Sequence, residues 1–137
     1  MDGYGKRLLV VEDDEAGRNV LSVLLIQAGY NVIAANDGQE ALSEMTRRHF
    51  DAVVTDYRMP GLDGLEFLSR SRIAWPQTPV ILISGDHPDL SKEAVQRGAY
   101  AWLHRPYEPG LLLEIIRDAT RAFRDSGAEP LSVPAMR

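Results

Sequence analysis

Leu8-Leu9-Val10-Val11-Glu12-Asp13-Asp14-Glu15 decides the fold: four apolar β-formers run without a break into four acids. A run with no polar face predicts a strand covered on both sides, the habit of parallel sheets in α/β proteins. The pattern returns twice. Ala52–Thr55 runs into Asp56, and Val80–Ile83 runs into Ser84-Gly85-Asp86. Tyr30–Ala34 is β-rich, and Tyr100–His104 is a mixed strand that meets Arg105-Pro106.

Helical periods lie between these runs. Val20, Leu21, Leu24, Leu25 and Ala28 recur at helical spacing, and Gly29 is a natural stop. Asn36 or Asp37 can cap a helix bearing Ala41, Leu42 and Met45. Leu65, Leu68, Ser69 and Arg72 read as a third helix, and Pro88 to Arg97 as a short fourth closed by Gly98. Pro109 suits the start of a fifth, whose apolar face is Leu112, Ile115, Ile116, Ala119 and Phe123. The expectation is one α/β domain over 6–124, doubly wound, with five strands and five helices. Residues 125–137, with two prolines, a glycine and no period, read as a flexible tail or linker.

Composition narrows the function. The chain has 137 residues, enough for one domain with a single good core. It carries 15 Lys+Arg against 20 Asp+Glu, a net charge of −5, which argues against gripping nucleic acid over a broad surface. It has no cysteine, hence no disulfide frame, thiolate zinc site or thiol nucleophile. No apolar stretch approaches the roughly 18 residues of a membrane span, and Leu8–Val11 is too short for a signal segment. The expectation is a soluble cytoplasmic domain, either free-standing or cut from a longer regulator.

In doubly wound sheets the site lies beyond the carboxyl ends of the strands, where strand order reverses. The residues there are Glu12, Asp13, Asp56, Ser84 and Arg105. Two like charges about 4 Å apart repel by about 4 kcal/mol at an effective dielectric near 20. Such a cluster is relieved by a proton or by a hard dication with oxygen ligands, of which Mg²⁺ suits a few carboxylates plus water. A carboxylate so placed can attack a phosphoryl group and form an acyl phosphate. Ser84 offers a hydroxyl to a phosphoryl oxygen, and Arg105 a planar cation. Taken singly these residues are ordinary: Asp14 and Glu15 suit a helix first turn, and Asp56 a turn. His49, His87 and His104 have no metal-ligand spacing.

With these residues in view, the sequence resembles the receiver domain of two-component response regulators, over about residues 6–124. The resemblance rests on Leu-Leu-Val-Val-Glu12-Asp13-Asp14, on Asp51-Ala-Val-Val-Thr-Asp56-Tyr-Arg-Met-Pro60-Gly-Leu-Asp-Gly64, on Pro79-Val-Ile-Leu-Ile-Ser84-Gly, and on Gly98-Ala-Tyr-Ala-Trp102-Leu-His-Arg105-Pro106-Tyr. The last stretch is similar to receivers of the NtrC-like class. The resemblance implies a flavodoxin-like sheet of order 2-1-3-4-5, the order the chemotaxis regulator also has.

It also implies roles. Asp56 looks like the phospho-acceptor, supplied by a sensor histidine kinase or a phosphotransfer protein. Asp13, Asp56 and the backbone carbonyl of Arg58 would hold Mg²⁺ (or Mn²⁺), with Glu12 acting through water. Ser84 and Trp102 match the switch pair, although Trp102, larger than the usual Tyr or Phe, also suits an amphipathic surface ring. Arg58 and Asp86 match places that tune hydrolysis, or are two solvated charges. Pro106 matches a proline whose peptide bond is typically cis. The face of the fourth helix, fifth strand and fifth helix would serve a homodimer. The chain would be no enzyme beyond phosphotransfer to, and loss of phosphate from, its own aspartate. Arg105 departs from the family's usual Lys. It would either pair with the carboxylates and hold the site shut, leaving a phosphorylation-independent docking module, or clamp the phosphate. An aspartyl-phosphate phosphatase is disfavoured because Arg58 stands where its second acid belongs.

Overall fold

The computed structural model describes residues 5–85, 90–126 and 135–136. Its elements are β1 (Arg7–Val11), α1 (Glu15–Gln27), β2 (Asn31–Ala35), α2 (Gly38–Arg47), β3 (Ala52–Asp56), α3 (Gly64–Ala74), β4 (Val80–Ser84), α4 (Ser91–Gln96), β5 (Ala101–His104), α5 (Pro109–Ser126) and β6 (Ala135–Met136). The strands are parallel and ordered β2-β1-β3-β4-β5-β6. The five expected strands and their 2-1-3-4-5 order are therefore present.

The sheet separates two cores because side chains alternate along a strand. Leu9 and Val11 of β1, Val53 of β3, Val80 and Leu82 of β4 and Trp102 of β5 join Ala41, Met45, Leu65, Leu68 and Ala94 of α2, α3 and α4. Leu8 and Val10, Ala52 and Val54, Ile81 and Ile83, and Ala101 and Leu103 face the other way. They join Leu21 and Leu25 of α1 and Leu112, Ile115, Ile116 and Ala119 of α5. This is the double cover that the unbroken apolar runs predict.

Aspartates fix three helix starts at the sheet's carboxyl edge. Asp14 accepts from Gly17 N–H at 2.7 Å, Asp37 from Glu40 N–H at 2.8 Å, and Asp63 from Glu66 N–H at 2.8 Å. Each satisfies an N–H that the first turn leaves unpaired. Of the two cap candidates Asn36 and Asp37, the cap is Asp37. Gly29 takes a φ of 100° just after α1, where a side chain would be strained.

Two readings change. Val20 faces outward, 72% exposed, because Leu21 and Leu25 take the buried stripe one helical step away. With Val23 and Ile26 it leaves an exposed apolar line on α1. The region read as a tail contributes the end of one described element and the whole of another. Residues 125 and 126 continue α5, and Ala135–Met136 lies beside Ala101 and Trp102 as a parallel sixth strand. Two residues on an edge carry no period to detect, and an edge strand offers unpaired groups to any such segment. The rest of the tail, Asp86 and Pro88 lie outside the described residues.

Candidate functional site

Parallel register sets the site. Val11 pairs with Thr55, Asp56 with Ile83, and Ser84 with His104. The next residue on each strand therefore emerges at one rim, beside the reversal of order between β1 and β3. Glu12, Asp13, Asp56, Ser84 and Arg105 meet there and line a cavity of about 720 Å³, with Arg58, Pro106 and Tyr107 on the same wall.

The three acids offer carboxylate oxygens that lie within 4.8 Å of one another. Glu12 is 4% exposed and Asp13 is exposed. Backbone donors hold the acids in place: Asp14 N–H reaches Glu12 Oε2 at 3.1 Å, and Tyr57 N–H reaches Asp56 Oδ1 at 2.9 Å. Arg18 Nη1 fixes the Glu12 carbonyl at 2.9 Å. Arg105 forks across the cluster, Nη1 to Asp56 Oδ1 at 3.2 Å and Nη2 to Glu12 Oε1 at 3.1 Å.

Burial dominates the electrostatics. It pushes the Asp56 carboxyl above the ordinary aspartate value; Arg105 and Tyr57 N–H oppose the shift, and the Asp13 charge adds to it. Burial likewise raises Glu12, against the Asp14 N–H and Arg105, with Asp56 adding to the rise. Burial raises the Tyr107 hydroxyl too. These acids are ionised at a cost, which a dication offsets. A Mg²⁺ ion holds oxygens at about 2.1 Å and so spans ligands up to about 4 Å apart. The hard carboxylate set fits such an ion once its side chains, and the Arg105 head paired with two of them, readjust.

The Ser84 hydroxyl is 1% exposed and has no hydrogen-bond partner among the described residues. A buried hydroxyl with nothing to bond costs roughly 1–3 kcal/mol, so its place on the cavity wall suits a ligand oxygen. The Arg105–Pro106 bond is cis, as the resemblance implies. Trp102 is 4% exposed, which overturns the reading of it as a surface ring. Its neighbours Ala101 and Leu103 fill one core, so pleating sends Trp102 into the other, among small residues such as Ala94 and Ala99. In a Trp75→Phe background, Trp102 should emit to the blue and resist acrylamide several-fold better than in the urea-unfolded chain. Equal quenching in both states would show an exposed ring.

Two contributors escaped the sequence reading. Arg18 is six residues from Glu12 and has no spacing signal, and Tyr107 stands out only through its place after Pro106.

Fold and rim together define a flavodoxin-like α/β domain with an acidic site at its strand ends. The chain belongs to the response regulator receiver domain family, whose model matches residues 8–117. It is similar to the transcriptional regulatory protein FixJ of Bradyrhizobium diazoefficiens, 38% identical over 116 residues, covering 83% of this chain and 56% of that protein. It is 37% identical over 123 residues to the sensory/regulatory protein RpfC of Xanthomonas campestris pv. campestris, covering 86% of this chain and 17% of that one. The chain thus spans less than two thirds of either relative. Among solved structures, the CheY-like receiver domain protein of Methanospirillum hungatei JF-1 superposes with a TM-score of 0.83 at 27% identity, covering 89% of this chain and 98% of that one. None of the described helices is long and apolar enough to cross a membrane.

Proposed function

We propose that this chain is a phosphorylation-driven switch in two-component signalling, with Asp56 as the acceptor. The observation that carries the reading is the meeting in one cavity of Asp56, two further acids and a Ser84 hydroxyl that has no partner among the described residues. An Asp56 carboxylate oxygen attacks the phosphorus of a phosphohistidine on a sensor kinase or phosphotransfer protein. A P–O bond forms, the P–N bond breaks, and the departing imidazole takes up a proton. Asp13, Asp56 and the Arg58 carbonyl, with Glu12 through water, would hold Mg²⁺ or Mn²⁺, which supplies charge neutralisation. Ser84 donates its hydroxyl to a phosphoryl oxygen.

The exposed line of Val20, Val23 and Ile26 lies on α1, the helix that follows the Glu12-Asp13 pair, and supports a protein rather than a free metabolite as donor. On this reading the chain turns over no other substrate, works in the cytoplasm, and binds no nucleic acid itself. Its output passes through the face of α4, β5 and α5, where a second copy would dock.

Incubation with a small acyl phosphate and Mg²⁺ should add one phosphoryl group by intact mass spectrometry, and beryllofluoride should shift amide resonances around Asp56. The Arg105 fork favours one other reading, a receiver that docks without phosphate. No adduct, with partner binding unaffected by Asp56→Asn, would establish that reading and remove the first.

A further inference from the structure

We propose that Arg105 is a latch that competes with the divalent cation for the same two carboxylates, so that the site opens only when the guanidinium lets go. The proposal rests on the acidic cluster being the metal site, as above. Two of the three clustered acids, Glu12 and Asp56, each receive one nitrogen of the fork, at 3.1 and 3.2 Å. Both are largely buried, with side chains 6% and 12% exposed, so the pairing lies in a poorly solvated place. A monovalent cation is therefore already seated on an oxygen of Asp56, which a dication would claim directly, and on one of Glu12, which it would meet through water.

The latch is anchored at its base and loose at its head. Arg105 N–H donates to Ser84 O at 2.8 Å, which ties the backbone to the end of β4. Its Cβ and Cδ lie 3.4 and 3.5 Å from where a side chain on Gly85 would begin, so the stem crosses bare backbone. The side chain is 39% exposed, which gives the head a short path to water. Guanidinium is a rigid fork that reaches two acceptors at once, whereas a lysine ammonium is a single point. A dication placed among the acids would repel that head, and its double charge wins the shared oxygens once the metal concentration is high enough. In this chain phosphoryl capture then waits on two events, metal entry and Arg105 release. A freed Arg105 is correctly placed to meet the incoming phosphate.

The test is Mn²⁺ titration of the whole chain by electron paramagnetic resonance of the free ion, with folding checked by circular dichroism. Arg105→Ala removes the competitor, and binding should tighten at least tenfold. Arg105→Lys keeps the charge but not the fork, and binding should tighten about fivefold, the scale of one net hydrogen bond lost to the competitor. The Arg105 side-chain NH resonances in the native chain should move as metal saturates. Tighter binding in Arg105→Ala but none in Arg105→Lys would reduce the effect to a background field and overturn the latch. Equal affinity in all three chains would overturn it as well. No Mn²⁺ binding in any of them would instead remove the reading of the acids as a metal site.

Discussion

Asp56→Asn abolishes the covalent adduct completely while leaving a folded protein that melts higher than the native chain in EDTA at neutral pH. The first half follows from chemistry: an amide has no carboxylate oxygen to attack phosphorus. The second follows from the direction of the shift. Burial raises the Asp56 carboxyl, so the folded state holds that proton more tightly than the unfolded chain does. Stability from this group is fully present below the ordinary aspartate value. It falls as pH climbs through the raised folded value, and above that the loss is constant. Asparagine carries no such loss. We expect the melting temperature to rise by roughly a few degrees, the scale on which a single substitution acts in a domain of this size. The gap between the two chains should close on acidification below about pH 4. Thermal melts across pH decide it: a gap that widens in acid would put the sign the other way. Loss of the Arg105 contact works against the gain, but burial is the larger cause of the shift.

Gly64→Ala is the second large effect, and it acts on stability. Gly64 opens α3 at the point where that helix presses on the end of β3. A Cβ there would stand 2.7 Å from the Asp56 carbonyl, 2.7 Å from Leu82 Cδ2 and 2.8 Å from Tyr57 Cα. Leu82 can turn, but two of the three obstacles are backbone. Gly64 N–H also donates to Tyr57 O at 2.7 Å, so the helix cannot back away without losing that bond. We expect a loss of about 3 kcal/mol by urea unfolding, at the upper end for an overpacked core position. The displaced backbone belongs to Asp56 itself, so adduct formation in the folded fraction should slow as well. Gly61→Ala makes the control: its φ of 76° is strained for a side chain, but nothing lies within 4 Å of its would-be Cβ. It should cost less and leave the adduct rate alone. If the two variants destabilise equally, steric contact is not what selects glycine at position 64.

Much of this was legible in the chain because it is written in local patterns. Apolar runs that stop dead at Glu12, Asp56 and Ser84 encode both a two-sided sheet and a common edge, and the register places those residues together. What stayed hidden depends on direction rather than on spacing. Val20 matches the helical period as well as Leu21 does, and only packing against β1 and β2 shows which side is inward. Trp102 has a polar tip and suits a surface, until Ala101 and Leu103 commit the pleat. Arg105 admitted two partners from sequence, phosphate or carboxylate. The structure shows it on the carboxylates, one nitrogen of the guanidinium on Asp56 and the other on Glu12.

Alternation along the inner strands has a wider effect. Every residue of β1, β3 and β4 that fills one core has neighbours filling the other, so those segments have no idle side on which to experiment. The reactive groups, by contrast, sit at the last position of a strand or just past it. Scaffold and reagent are thus joined end to end rather than interleaved. Exchanging an exposed residue at this edge, such as Asp13, can retune reactivity with hardly any repacking, which makes the edge a natural place for redesign.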